Sequence, residues 1–326
     1  MELTEKIFSI RSEEEFRRLS LETFHRQYLA NQVYHDYVDA RKVKVDGVQQ
    51  IDQIPFLPIE FFKTHDVVCG NQPPQRIFRS SGTTSETRSN HIVNNLSLYR
   101  HSLINSFKYF FGLPDGYQFA ALTPTPEQNP TSSLVFMIQY LMDSSQSAES
   151  GYFLGSFTGL HARLKQARSG PRKIFLIGLT YALVDFAEQY PGSYAPLIVM
   201  ETGGMKGRRR EMTREELHGI LCPAFGVETI HSEYGMTELL SQAYSKGEGL
   251  FATPPWMRVM IRDASDPLSY METGKTGGIN IIDLANVNSC SFIATQDLGR
   301  VHADGRFEVL GRFDNSDIRG CSLMQE

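Results

Sequence analysis

The sequence contains little cysteine and no long apolar run. Cysteine occurs at four of 326 positions (Cys69, Cys222, Cys290 and Cys321), and these positions give no CxxC spacing of the kind found in zinc sites and redox pairs. No stretch approaches the roughly 20 apolar residues that a membrane-spanning helix needs. We therefore expect no disulfide framework, no stable membrane insertion, and a cytoplasmic location in which the thiols stay reduced.

An excess of basic residues is also missing. The chain has 32 Lys and Arg against 37 Asp and Glu, which gives a formal net charge of -5 and argues against nucleic acid as a partner. The histidines show no HExxH spacing, so we assign none of them to a metal. The Walker A pattern GxxxxGK[ST] is absent as well, which excludes that type of phosphate loop.

The order of the predicted elements is typical of an α/β fold with a largely parallel sheet. A helix is expected over residues 12–40, and Pro55 and Pro58 exclude a continuous helix in the segment that follows. Short β-type runs after about Phe251 predict a smaller β-rich subdomain. Between these regions we predict strands at 118–122, 174–177, 197–200 and 227–230, and helices at 96–111, 132–142, 181–189 and 213–221.

A hydroxyl-rich segment follows the short apolar run at Ile77. It contains Ser80, Ser81, Gly82, Thr83 and Thr84 and ends with the cation of Arg88. Backbone N–H groups and hydroxyls in such a loop can surround a polyphosphate, with the arginine supplying positive charge. A polar surface turn explains the same residues equally well.

Two further motifs follow strand-like runs. Gly203 and Gly204 come directly after LIVMET, where a pair of glycines lets the backbone approach a flat ligand closely. Tyr234 and Gly235 open the motif YGMTE, in which the tyrosine offers a stacking face. Its other members, Thr237 and Glu238, offer a hydroxyl and a carboxylate that can hold Mg²⁺. Ordinary turns remain the alternative at both places.

The last candidates lie in the C-terminal quarter. Asp297 follows a strand-like run and can accept two hydroxyl protons, as from a ribose, although an aspartate in a β-turn is the commoner case. Arg312 is suited to phosphate or ribose contact. Cys321 lies near Arg319, which favours its thiolate, and a hydrophilic tail is the alternative.

Taken together and in order, these motifs resemble those of the adenylate-forming superfamily of acyl-CoA synthetases, adenylation domains and luciferases. The segment SSGTTSETR matches the phosphate loop of that family from Ser80 to Thr84 and departs from it at Ser85, Thr87 and Arg88. The resemblance implies that Gly203, Gly204 and Tyr234 enclose adenine, that Thr237 and Glu238 contact phosphate, acyl carboxylate and Mg²⁺, and that Arg312 lies at a hinge. It also implies that Asp297 grips the ribose, although Gln296 replaces the family's glycine.

The resemblance also predicts the architecture. We expect the large N-terminal domain of an adenylate-forming enzyme, with parallel sheets flanked by helices and a small β-rich subdomain, and without the usual C-terminal domain. The expected divisions are a helical segment at 1–75, an α/β nucleotide- and acyl-binding core at 76–250, a β-rich subdomain at 251–312 and a tail at 313–326.

The segments IPFLPIEFFKTHDVV and DNSDIRGCSL narrow the resemblance to the acyl-protein synthetases of bacterial luminescence. That family adenylates a fatty acid with ATP and Mg²⁺, carries it as a thioester on a cysteine matched here by Cys321, and delivers it to a reductase or another acyl-accepting protein. Two alternatives stay open. One is a ligase that uses free CoA, like the phenylacetate-CoA ligases, and the other is a non-catalytic nucleotide-binding subunit.

Overall fold

The computed structural model describes residues 3–81, 87–166, 172–194, 196–205, 208–210 and 212–313. Its α-helices are α1 (Leu3–Phe8), α2 (Glu13–Ala30), α3 (Gln32–Ala40), α4 (Phe61–Thr64), α5 (Leu96–Phe111), α6 (Ser133–Ser145), α7 (Phe157–Gln166), α8 (Thr180–Gln189) and α9 (Arg214–Phe225). Its strands are β1 (Leu57–Pro58), β2 (Arg76–Arg79), β3 (Asn90–Val93), β4 (Tyr117–Leu122), β5 (Gly151–Tyr152), β6 (Lys173–Leu179), β7 (Leu197–Thr202), β8 (His231–Tyr234), β9 (Ala243–Ser245), β10 (Phe251–Ala252), β11 (Met257–Arg262), β12 (Gly277–Asp283), β13 (Phe292–Val301) and β14 (Phe307–Arg312).

The chain forms two compact units. Unit 1 comprises Met1–Ser102, Thr237–Ser241 and Ala252–Glu326, and unit 2 comprises Leu103–Met236 and Gln242–Phe251. The motif YGMTE is therefore divided, because Met236 belongs to unit 2 and Thr237 to unit 1. The linear divisions at 75, 250 and 312 that the sequence suggested stay a prediction.

Unit 2 is built on a parallel sheet. Its strands follow the order β5-β4-β6-β7-β8, all paired in parallel, and β9 adds to β8 in antiparallel orientation. Six of the seven residues of β6 are buried, as expected for a parallel strand covered by helices on both faces. The helices α8 and α9 pack through Phe186 and Phe225, whose rings stack with centroids 5.7 Å apart. Truncating either ring to alanine should cost about 3–5 kcal/mol of stability.

Unit 1 combines an antiparallel sheet with a hairpin. The strands β11, β12, β13 and β14 pair in that order in antiparallel orientation, and β1 adds in parallel to β13. A separate two-stranded ribbon pairs β2 with β3, with Arg79 opposite Asn90. All seven residues of β12 are buried, so this strand forms the centre of the unit. No described helix combines the length and the apolar character that crossing a bilayer requires.

The structure confirms the α/β class, most predicted strands and helices, and the β-rich texture after Phe251. The strand predicted at 227–230 is wrong. The helix α9 continues to Phe225 and ends on Gly226 at φ +67°, so the strand β8 begins only at His231. The helix predicted over 12–40 is interrupted at Asn31, whose side chain accepts a hydrogen bond from Tyr34 N and starts α3. The strand β3 was not predicted.

Candidate active site

The residues expected from the sequence fall into both units. Unit 1 contains Ser80, Ser81, Arg88, Thr237, Glu238, Asp297 and Arg312, and unit 2 contains Gly203, Gly204, Tyr234 and Gly235. Four expected residues lie outside the described part of the chain, namely Gly82, Thr83, Thr84 and Cys321.

In unit 2, two of the expected motifs lie at one edge of the sheet. Strands β7 and β8 are parallel, with Met200 opposite His231, so both strands end at the same edge. Gly203 and Gly204 follow β7 at φ +73° and +61°, which is a conformation that favours glycine. Tyr234 ends β8, and its ring lies 5.9 Å from that of Phe251. The fold therefore brings the glycine pair and the tyrosine to neighbouring strand ends.

A carboxylate that sequence reasoning missed lies at the same edge. The hydroxyl of Thr202 donates to Glu233 Oε2 at 2.6 Å, which ties the end of β7 to the end of β8. The Cβ that a substitution at Gly235 would add falls 2.4 Å from Glu233 Oε1, so this carboxylate lies directly against the turn. Burial, aided by the charge of Glu201, raises the pKa of Glu233 to about 7, although the Thr202 hydrogen bond lowers it.

In unit 1, the ends of the hydroxyl-rich segment are joined. Ser80 N donates to the carbonyl of Ser89 at 3.1 Å, and Ser89 N donates to Ser80 Oγ at 2.9 Å. Both bonds extend the pairing of β2 and β3 by one residue beyond each strand. The hairpin thus fixes where the segment from Ser81 to Arg88 begins and ends, and Ser81 and Arg88 are exposed.

Glu238 lies next to the end of this segment. Its side chain is buried, with the residue 4% exposed, and the hydroxyl of Ser89 donates to its carboxylate. Burial raises the pKa of Glu238, while the Ser89 hydrogen bond and the charges of Arg312 and Lys63 lower it. Glu238, the acid of YGMTE, therefore lies in the same unit as Arg312 and next to Ser89, the residue that follows the hydroxyl-rich segment.

The backbone beside Glu238 is held by two buried side chains. His91 Nδ1 lies 2.8 Å from the carbonyl of Thr237, and His91 Nε2 lies 3.1 Å from Asn286 Oδ1. Asn286 Nδ2 donates to the carbonyl of Glu238 at 2.7 Å and to that of Cys290 at 2.9 Å. The His91 contact with Thr237 and the Asn286 bond to Glu238 fix the peptide groups on the two sides of the Glu238 side chain.

Asp283 anchors the far end of the same segment. Its carboxylate accepts from Leu240 N at 2.8 Å, from Ser241 N at 2.9 Å, from Ser241 Oγ at 2.6 Å and from Ala285 N at 3.1 Å. Trp256 Nε1 donates to Ser241 Oγ at 2.9 Å. Five residues that enter unit 1 from unit 2 and return to it are therefore fixed by hydrogen bonds along their length.

Asp297 and Arg312 occupy paired positions on β13 and β14. Arg312 Nε lies 3.5 Å from Asp297 Oδ1, and Arg312 Nη2 donates to Gln296 Oε1 at 3.3 Å. Asp297 N donates to Thr295 Oγ1 at 3.1 Å, which orients the backbone at the carboxylate. Gln296, which stands where the resembled family has glycine, therefore contacts Arg312.

The metal-ligating side chains in the described residues do not by themselves form a complete cation site. Within the ranges described above, no group of three or more His, Cys, Asp and Glu side chains could hold a metal ion. A single buried carboxylate, Glu238, fits Mg²⁺ only if a ligand supplies the remaining oxygens, which is the usual arrangement for Mg²⁺ on nucleotide phosphates.

The described cysteines are poor nucleophiles. Cys69 and Cys290 are buried, and burial raises the pKa of Cys69 to about 12 and that of Cys290 further still. Cys222 is only partly buried, at the edge of the hydrophobic core that α9 packs against. Burial also raises the pKa of the Cys222 thiol.

Several solved structures share this fold. ATP-bound MatB from Rhodopseudomonas palustris is 15% identical, with 72% of this chain and 47% of that chain covered at a TM-score of 0.54. An open conformation of 2-hydroxyisobutyryl-CoA ligase, in complex with 2-HIB-AMP and CoA, is 11% identical, with 93% of this chain and 71% of that chain covered at a TM-score of 0.68. The chain thus spans about half the length of MatB.

A search of curated protein sequences gives no significant match. The family model for acyl-protein synthetase, LuxE, matches residues 7–326, which is nearly the whole chain. The ordered motifs of the sequence and the α/β architecture agree with that match. The chain belongs to the LuxE acyl-protein synthetase family.

Proposed function

We propose that this chain activates a carboxylic acid with ATP as an acyl-adenylate and then passes the acyl group to a thiol. The observation that carries the proposal is the geometry of unit 1 around the buried Glu238. The bond from Ser89 N to Ser80 Oγ joins the two ends of the hydroxyl-rich segment, and His91, two residues further along, contacts the carbonyl of Thr237 at 2.8 Å. This arrangement supports a site in which the hydroxyl-rich segment and the YGMTE motif act on the same nucleotide. Membership of the LuxE family supports the same reaction.

In the first step, a carboxylate oxygen of the acid attacks the α-phosphorus of ATP. A bond forms between them, the bond from the α-phosphorus to the bridging oxygen breaks, and pyrophosphate leaves with the electron pair. The segment from Ser80 to Arg88 would hold the departing pyrophosphate, and Thr237 would contact the phosphate or the acyl carboxylate. The protein acts here through positioning and electrostatics rather than by forming a covalent bond.

The remaining site residues would hold the nucleotide. Adenine would contact Gly203, Gly204, Tyr234 and Gly235. The ribose diol would contact Asp297, and Arg312 would contact ribose or phosphate. Glu238 would hold Mg²⁺ together with phosphate oxygens of the nucleotide. When bound, such an ion neutralises negative charge on the phosphates.

In the second step, a thiolate attacks the acyl carbon and AMP leaves. Cys321 is the proposed acceptor, and a fatty acid the proposed substrate, as the family resemblance implies. Delivery to a downstream reductase or carrier would follow. The raised pKa values of Cys69, Cys222 and Cys290 favour an acceptor outside the described residues. A free thiol acceptor also fits a cytoplasmic location.

A ligase that uses free CoA is the second candidate. The structural neighbour 2-hydroxyisobutyryl-CoA ligase was solved with CoA and an acyl-adenylate, and it shares the fold over 93% of this chain. In that case the acyl group would go from AMP to CoA without a protein thioester.

Intact-protein mass spectrometry separates the two candidates. The full chain is incubated with ATP, Mg²⁺ and a panel of carboxylic acids, with and without CoA. A mass increase of one acyl group that hydroxylamine removes, present in wild type and Cys222→Ser but absent in Cys321→Ser, supports the protein acceptor. An unchanged protein mass with accumulation of acyl-CoA favours the CoA ligase. The absence of both the acylated protein and acyl-CoA would contradict the proposed second step.

A further inference from the structure

The strand β3 contacts the YGMTE motif through alternate residues. Ser89, immediately before the strand, and His91, within it, are two positions apart and therefore point to the same side. The Ser89 hydroxyl donates to the carboxylate of Glu238, and His91 Nδ1 contacts the carbonyl of Thr237 at 2.8 Å. Both residues are buried, with His91 only 1% exposed. The strand β3 and the residue before it thus contact both the side chain of Glu238 and the backbone that precedes it.

We propose that His91 is a positioning residue for adenylation, which donates from Nδ1 to the carbonyl of Thr237 and thereby fixes where the Glu238 carboxylate lies. The inference rests on the proposed function, because it assigns His91 a task in that reaction. His91 itself touches neither nucleotide nor acid in this assignment.

The hydrogen-bond partners of the His91 ring indicate which of its nitrogens carries the proton. The carbonyl of Thr237 can only accept, so its contact with His91 is a hydrogen bond only if Nδ1 carries the proton. Asn286 directs its amide nitrogen to the carbonyls of Glu238 and Cys290, which leaves its oxygen facing His91 Nε2 at 3.1 Å. Both ring nitrogens therefore face acceptors, and a neutral ring can serve only one of them. Burial lowers the pKa of His91 to about 4, so the ring is neutral near pH 7 and its one proton serves the shorter contact.

The surroundings leave the ring little freedom to take another role. The ring of Phe62 meets His91 edge to face, with centroids 5.9 Å apart. Asn286 is also buried and links His91 to the carbonyl of Glu238. Loss of the Nδ1 donor would free the peptide after Thr237, and a misplacement of about 1 Å at a catalytic group can cost about 100-fold in rate.

Two substitutions distinguish a requirement for the Nδ1 hydrogen-bond donor from a requirement for any polar residue at position 91. His91→Asn places an amide nitrogen near the position of Nδ1, whereas His91→Gln places one near that of Nε2. His65→Gln, at an exposed histidine of unit 1, is the matched control. Acid-dependent exchange of pyrophosphate into ATP is measured for each full-length protein, with circular dichroism to verify the fold.

We expect His91→Gln to lower the maximal exchange rate about 100-fold, with the ATP concentration at half-maximal rate changed by less than about threefold. His91→Asn should stay within about tenfold of wild type, and His65→Gln should match it. Wild-type exchange in His91→Gln, or an equal loss in a folded His91→Asn, would overturn the role of His91 alone. A wild type without exchange would overturn the proposed function and this role with it.

A second measurement needs no variant to be active. Long-range ¹H–¹⁵N correlation spectra of ¹⁵N-histidine-labelled wild type report which ring nitrogen carries the proton, with His91 assigned from its missing signal in His91→Asn. A proton on Nδ1 at pH 7 is the expected result. A neutral ring protonated on Nε2 would overturn the inference even if His91→Gln fails to fold.

Discussion

Asp297 and Arg312 lie opposite each other on β13 and β14, with Arg312 Nε 3.5 Å from Asp297 Oδ1. The arginine side chain is 72% exposed and that of the aspartate 12%, so the pair joins an exposed cation to a largely buried carboxylate. Solvent screening at the arginine limits the contribution of the pair to stability. A small contribution to stability is compatible with the proposed role of Asp297 in binding the ribose.

The first prediction concerns recognition of the ribose. Asp297→Ala should raise the ATP concentration needed for half-maximal pyrophosphate exchange by about tenfold, because a hydrogen bond between a charged group and a hydroxyl is lost. Wild type should prefer ATP to 2′-deoxy-ATP, and the variant should not. Asp304→Ala, at an exposed aspartate of the same unit, is the control. An unchanged preference in Asp297→Ala would remove this residue from the site.

The second prediction concerns the turn after β8. Gly235→Ala adds a Cβ 2.4 Å from Glu233 Oε1, so the carboxylate must move. We expect Gly235→Ala to raise the ATP concentration needed for half-maximal pyrophosphate exchange by about tenfold. The double variant Gly235→Ala with Glu233→Ala should recover part of this loss, since contacting residues couple by about 0.5–3 kcal/mol. Additive effects of the two substitutions would show that Glu233 does not constrain the turn.

The third prediction is a pH dependence of stability. The pKa of Glu233 is raised from 4.5 in the unfolded chain to about 7 in the fold, so the folded protein binds the extra proton between these values. Glu233 therefore disfavours folding increasingly as the pH rises from about 4.5 to 7. Relative to wild type, Glu233→Gln should gain about 2 kcal/mol in the free energy of unfolding between pH 5 and pH 8.

Urea denaturation at each pH measures that difference. Using the difference between the two proteins cancels the contributions of the histidines, whose lowered pKa values act in the opposite direction. Parallel stability curves for wild type and Glu233→Gln would contradict the assigned environment of the carboxylate.

The fourth prediction concerns the anchor of Thr237–Ser241. Asp283→Asn replaces a carboxylate that accepts four hydrogen bonds with an amide whose nitrogen must face donors. We expect a loss of about 3 kcal/mol in the free energy of unfolding, because buried N–H groups lose their acceptor. Asp266→Asn, at an exposed aspartate, should change it by less than about 0.5 kcal/mol. Equal stability of the two variants would show that Asp283 does not hold the segment.

The motifs could be predicted from the sequence because each is a short run of chemically distinctive residues at a strand end. Their partners could not. His91 and Asn286 are 195 positions apart, and nothing in either local sequence indicates that they meet beside Glu238. The only feature of the local sequence that points to Glu233 is its position directly before Tyr234 of YGMTE, in a strand that would otherwise be apolar or uncharged at its end.

The errors in secondary structure have a similar origin. The run at 227–230 has strand-like composition, but the left-handed turn at Gly226 and the packing of α9 delay the strand to His231. At Asn31 the side chain amide donates to the carbonyl of Ser289, a contact across 258 positions that fixes the break between α2 and α3. Tertiary contacts decided both boundaries.

The most direct test of the account is acid-dependent exchange of labelled pyrophosphate into ATP by wild type and Glu238→Gln. We expect exchange by wild type that requires a carboxylic acid, and a rate lower by about 100-fold in a folded Glu238→Gln, since removing one electrostatic group from such a site typically costs about 100- to 1000-fold. Glu272→Gln, at an exposed glutamate, should match wild type. No acid-dependent exchange by wild type, or full exchange by Glu238→Gln, would contradict the account.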